Sequence, residues 1–157
     1  MLRLTLWPLL ALWLVAAPPP DDDIDTFWAE AKRTVEEGDF DGYAALYHDD
    51  AVLVNAISGV SYPIADALAG WRQGFVDTAE GRAETSLDFR FTQRLHGETT
   101  AHDSGYFRYE THAVGEPPAP TIVKFESLVV RGPDGWQWLM EYQIAVATQA
   151  EWDAAGS

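Results

Sequence analysis

The chain contains no cysteine. A disulfide framework, a thiol nucleophile, thiolate metal sites and a cysteine-borne lipid anchor are thereby excluded. Basic residues are scarce as well: 10 Lys and Arg stand against 25 Asp and Glu, a formal net charge of -15. A surface of that sign repels phosphate backbones and anionic lipid, so nucleic acid is not an expected partner. Long apolar runs are also missing. The longest stretch, from Leu4 to Ala17, is broken by Thr5 and Pro8 and is too short to span a bilayer comfortably. No internal repeat occurs, and 157 residues is a single-domain length.

The short apolar stretch has its own meaning. Met1-Leu2-Arg3 supplies one positive charge before it, and Val15-Ala16-Ala17 places small residues at its end, followed by Pro18-Pro19-Pro20 and Asp21-Asp22-Asp23. A basic start, a short apolar core and small closing residues read as a secretory signal over residues 1–20. Pro18 obstructs cleavage after Ala17, so an uncleaved leader is the alternative, and it would be the chain's one attachment to a membrane. The expectation is export, to a periplasm or the exterior, of a single domain over residues 21–157.

Within that domain the aromatic content is high, with 7 Trp, 6 Tyr and 7 Phe. The hydrophobic period is helical at first. Ile24, Phe27, Trp28, Ala31 and Val35 form one stripe of a helix running to Glu37 and ended by Gly38. Phe40, Tyr43, Ala44 and Tyr47 recur at helical spacing, a strand is read over Ala51–Asn55, and Pro63 opens a third helix with Ile64, Leu68, Trp71 and Phe75 on its buried side. After Gly81 the period becomes two. Leu87, Phe89, Phe91 and Leu95 alternate with Asp88, Arg90, Thr92 and Arg94. Further strands are read over Ala101–Ala113, Thr121–Arg131 and Trp136–Thr148. Three helices gathered before a meander cannot build parallel crossover units. They must lie across one face of the sheet, and a long meander twists until it curls around them. The fold class is therefore α+β: a cone-shaped, curved antiparallel sheet packed on three N-terminal helices.

That order, with Gly38-Asp39-Phe40-Asp41-Gly42 opening the second helix, Leu46-Tyr47-His48-Asp49-Asp50-Ala51-Val52 closing it and Gly132-Pro133-Asp134-Gly135-Trp136 before the last strand, resembles the nuclear transport factor 2-like superfamily, the SnoaL-like domains in particular. The resemblance spans Ile24 to Trp152. It implies a pocket between helices and sheet, but the superfamily shares a fold rather than a chemistry. A ketosteroid isomerase would need a carboxylate base where this chain has Asn55, and a tyrosine near Ala31; neither is present. The weaker resemblance to limonene epoxide hydrolase implies a water-activating set of Asn55, Arg108, Glu110 and Glu141. Two glutamates replace the aspartates of that family, and Leu53 replaces a tyrosine.

Two readings follow. One is an exported accessory or ligand-binding domain without a complete catalytic set, needing no cofactor and no metal. It would be a homodimer through its sheet and would take a small apolar or amphipathic ligand. Trp28, Tyr47 and Trp71 would contact the ligand from the helical half, and Glu126, Leu128, Met140 and Tyr142 from the last strands. Parity alone leaves open which face of those strands looks inward. The other reading is the hydrolase built on Asn55, Arg108, Glu110 and Glu141. His96 and His102, flanking a hairpin turn, could form half of a metal site, but no third ligand is evident beyond the nearby Asp103 and Glu98.

Overall fold

A computed structural model describes residues 22–156, and the expected leader over residues 1–20 lies outside them. The elements run α1 (Asp22–Glu37), α2 (Phe40–Ala45), β1 (Tyr47–Asn55), β2 (Val60–Pro63), α3 (Ile64–Ala79), β3 (Ala83–His96), β4 (Thr100–Ala113), β5 (Thr121–Gly132), β6 (Gly135–Val146) and α4 (Gln149–Ala154). The six strands form one sheet in the order β2-β1-β6-β5-β4-β3. It is curved and unclosed, and the helices pack against it. The expected α+β class is observed.

The helices follow from their apolar spacing. In α1, Ile24, Phe27, Trp28, Ala31 and Val35 are all buried, while Arg33 on the polar side holds Glu30, Glu37 and Asp39. Gly38 stops the helix at a φ of 71°, a left-handed conformation that favours glycine. A Cβ there would also collide with the backbone of Phe75 and Ala79 at the end of α3. The second helix is shorter than its spacing suggests: it ends at Ala45, and Tyr47 already belongs to β1. The tie responsible is non-local, since Trp138 N–H donates to the Leu46 carbonyl at 2.8 Å and draws the chain into the sheet.

Four of the five strand pairings are antiparallel, but β1 runs parallel to β6. That contact joins the two ends of the fold and leaves no local trace in the sequence. Two irregularities decide which side chains face the helices. In β3, Phe91 pairs with Gly105 and Gln93 with Ser104, so Thr92 is an extra residue. Beyond it the parity inverts. Leu95, expected on the apolar face, is 56% exposed, and Arg94 and His96 turn inward to Asp103 instead. In β6, Val129 pairs with Trp138 and Leu128 with Met140, leaving Leu139 as the extra residue. Bulges of this kind re-aim side chains locally.

The inner face of the sheet carries the core. Trp28 sits at its centre, with ring centroids 4.8 to 5.8 Å from Phe27, Phe89, Phe91, Phe125 and Trp138 in tilted, edge-on arrangements. Such pairs contribute about 0.5–1.5 kcal/mol each beyond area burial. On the outer face α4 seats Trp152 beneath the guanidinium of Arg90, 4.5 Å from the ring, and Thr148 and Glu151 form a capping box.

Candidate functional site

Between α1, α3 and the inner face of the sheet lies a cavity of about 350 Å³, within the usual range for small-molecule sites. Its walls are mainly rings: Trp28, Trp71, Phe75, Phe89, Phe107 and Trp138. Gly70 and Gly74 stand one turn apart on α3 at its exposed rim, and a Cβ on either would meet nothing within 4 Å. The missing side chains keep the wall open.

One acid enters this apolar space. The Leu139 bulge puts Trp138, Glu141 and Gln143 on the same inner face, and all three line the cavity. Glu141 is 9% exposed. Its Oε2 accepts from the Tyr47 hydroxyl at 2.8 Å, and its Oε1 accepts from Gln143 Nε2 at 2.8 Å. The Tyr47 oxygen lies 3.1 Å from that of Tyr43, and Asn55 Nδ2 donates to Gln143 Oε1 at 3.0 Å. Asn55 is itself fixed by the Ser58 N–H at 2.9 Å. A continuous polar chain thus runs from α2 through the cavity acid to the β1–β2 loop.

Burial raises the pKa of Glu141; the bonds from Gln143 and Tyr47 oppose this without cancelling it. Tyr43 and Tyr47 are also pushed upward, first by burial and then by the neighbouring Glu141. Among the described residues no Lys, Arg or His lines the cavity. The arrangement is a desolvated carboxyl among neutral hydroxyls, in which burial favours the protonated acid.

The sequence-derived site residues separate by strand parity. Trp28, Trp71 and Glu141 line the cavity, Tyr47 supports Glu141, and Asn55 is linked to it through Gln143. Arg108 and Glu110 do not join them. In β4 it is Phe107 and Tyr109 that reach the cavity, so their alternating neighbours face outward. There Arg108 and Glu110 form an ion pair at 3.6 Å. Glu126, Leu128, Met140 and Tyr142 likewise share the outer face, paired across β5 and β6. The four-residue hydrolase constellation is therefore not assembled in one chamber. Tyr43, Tyr109 and Gln143 were not among the candidates. Period-two alternation picks out Tyr109, but Gln143 emerges only once the bulge is known.

A second buried polar group anchors the cavity wall. Asp103 is fully buried; its Oδ2 accepts from Trp28 Nε1 at 2.8 Å, and its Oδ1 lies 2.7 Å from His96 Nε2 and 3.5 Å from Arg94 Nε. Arg94 also reaches Asp25 at 2.6 Å. His102 instead lies outside, 3.7 Å from Glu126, so the two histidines do not face one site. Among the described residues no group of three metal-ligating side chains occurs.

No family model and no curated protein matches the sequence. Solved structures do. A nuclear transport factor 2-like protein of unknown function from Shewanella oneidensis superposes with a TM-score of 0.59 at 20% identity, over 79% of this chain and 98% of that one. The beta subunit of benzoate 1,2-dioxygenase from Burkholderia mallei gives 0.66 at 13% identity, over 84% and 93%. A nuclear transport factor 2-like superfamily protein from Salmonella enterica serovar Typhimurium gives 0.60 at 8% identity, over 82% and 92%. At these identities the likeness shows the fold alone: it is the nuclear transport factor 2-like fold.

Proposed function

We propose that this domain of nuclear transport factor 2-like fold is a binding or accessory protein that takes a small apolar or amphipathic molecule into its aromatic chamber. The observation that carries the reading is the chamber itself: about 350 Å³, walled by rings, with one hydrogen-bonded acid in its lining. That volume corresponds to about a dozen water molecules at their liquid density, enough for a ligand of one or two rings. Apolar burial supplies affinity there, and the few polar groups supply orientation. Fold alone does not choose between carrier and catalyst, since the solved structures it resembles include a protein of unknown function and an enzyme subunit.

A water-activating hydrolase has less support, because Arg108 and Glu110 pair with each other on the face away from Glu141. Export through the leader, and pairing of two copies over the outer face where Leu128, Met140 and Tyr142 lie half-buried, belong to the same proposal.

The test is thermal-shift screening of the full chain against a set of one- and two-ring apolar compounds, repeated with Gly74→Phe. Space around Gly74 allows the added ring to fold over the opening. At least one compound should raise the Tm of the native chain, and the variant should lose that response. A native chain that responds to none of them would refute the proposal.

A further inference from the structure

Among the described residues, Glu141 is a cavity acid without a base. Its hydrogen-bond partners are the Tyr47 hydroxyl and the Gln143 amide. The titratable groups facing it are Tyr43 from α2, Tyr47 from β1 and Tyr109 from β4, all of them hydroxyls. A carboxyl withdrawn from water with no counter-charge is costly. The rings around it have the complementary property: the faces of Trp, Tyr and Phe attract cations within about 6 Å. Trp28, Trp71 and Trp138 all contribute to the lining, and tryptophan is the strongest such partner. The formal charge of -15 over the whole chain further raises the local concentration of positive ligands.

We propose that the chamber selects organic cations, amines or quaternary ammonium groups carried on an apolar body, with Glu141 as counter-ion and the tryptophans as the walls of the cage. This deepens the ligand-binding reading above and rests on it. A bare inorganic cation would not suit the same space. Hard metal ions take about six oxygen ligands, commonly several of them carboxylates, whereas the lining offers one carboxylate, with neutral hydroxyls and an amide, among rings. An ammonium ligand brings hydrocarbon for the rings and charge for the acid in one molecule. An anionic ligand would meet repulsion from Glu141, and a neutral one would gain apolar burial only.

The proposal carries a proton signature. Burial favours the protonated form of Glu141 in the free protein, while a cation beside it favours the ionised form. Binding therefore releases a proton, and affinity for a permanent cation rises with pH through the range in which the free protein's Glu141 ionises. The sign follows from linkage, because the bound state holds fewer protons than the free one.

The experiment compares two probes of one shape. Benzyltrimethylammonium and neopentylbenzene differ in a charged nitrogen against a carbon. Calorimetric titration of the full chain is run in about 1 M salt, where the screening length is about 3 Å and the acidic surface is silenced. The cation should bind at least tenfold more tightly at pH 8, and the preference should shrink as the pH is lowered through the ionisation of Glu141. Heats measured in buffers of different ionisation enthalpy should report proton release. Glu141→Gln should reduce the cation's advantage to what the ring faces alone supply and remove its pH dependence. Equal or tighter binding of the neutral probe by the native chain overturns the proposal while leaving the ligand-binding reading intact, whereas binding of neither probe overturns both. The native comparison needs no variant, so a misfolded Glu141→Gln would not protect the idea.

Discussion

Replacing Trp28 with Phe removes one N–H from a fully buried carboxyl and one ring from the centre of the core. The two losses can be sized separately. A hydrogen bond to a charged or fully desolvated partner contributes about 1.5–3 kcal/mol, since the remaining group is left short of a donor. The smaller side chain leaves a void of a few tens of Å³, which at about 24 cal/mol per Å³ adds close to 1 kcal/mol. Phe can keep part of the edge-on packing against Phe89 and Phe91, so the sum is about 3 kcal/mol, a large share of the 5–15 kcal/mol typical of a domain. The assay is urea denaturation followed by far-ultraviolet circular dichroism, which does not depend on indole fluorescence. A double-mutant cycle with Asp103→Ala isolates the bond, because the effects on His96 and Arg94 cancel. A coupling energy of about 1.5–3 kcal/mol is expected. A coupling below about 0.5 kcal/mol would refute the reasoning, since the indole would then be held by packing alone and Asp103 would owe nothing to it.

Two further outcomes follow from the same structure. Glu141 has a raised pKa in the folded chain, so between its unfolded and folded values the native state binds more protons than the unfolded one. Stability contributed by this group is complete below the unfolded pKa and is lost as pH rises through the folded one. Glu141→Gln should therefore gain stability relative to the native chain as pH rises across that window, by about 1.4 kcal/mol for each tenfold change in proton affinity; a pH-independent difference in denaturation midpoint would refute it. Gly105→Ala is expected to be severe. A Cβ at Gly105 would strike the Arg90 carbonyl and lie 2.9 Å from Phe91 Cα, both of them backbone. A loss of at least about 3 kcal/mol is expected, measured by chemical denaturation, and a cost below about 1 kcal/mol would show that the strands can part there.

Much of the architecture was legible because it is local. The stripe Ile24, Phe27, Trp28, Ala31 and Val35 can only be a helix with one buried side, and the change of period after Gly81 announces the meander. What escaped was whatever depends on a partner elsewhere. Nothing near Tyr47 says that it will pair with Trp138 and end the second helix early. The strand faces were harder still. Counting by twos along β3 assigns Leu95 to the apolar side and Arg94 to the polar one, and the extra residue at Thr92 reverses both. The candidate site suffered the same way. Glu141 was picked out for a resemblance to catalytic acids on other chains, yet its setting is apolar rings and tyrosine hydroxyls. Arg108 and Glu110, its presumed colleagues, follow strict alternation outward because β4 carries no extra residue of its own between Ser104 and Thr111.

The irregularity in β6 has a consequence for how this chamber could change. In an ordinary strand, losing one residue rolls everything beyond it to the opposite side. Here the sixth strand already carries a spare at Leu139. Excising that leucine would restore unbroken alternation from Trp138 through Met140 to Glu141 and leave the acid pointing where it now points. Excising Met140 instead would keep the same count, but would seat a leucine where the methionine now stands opposite Leu128. The polar floor of the chamber is thus buffered against the kind of genetic accident that most readily scrambles a sheet.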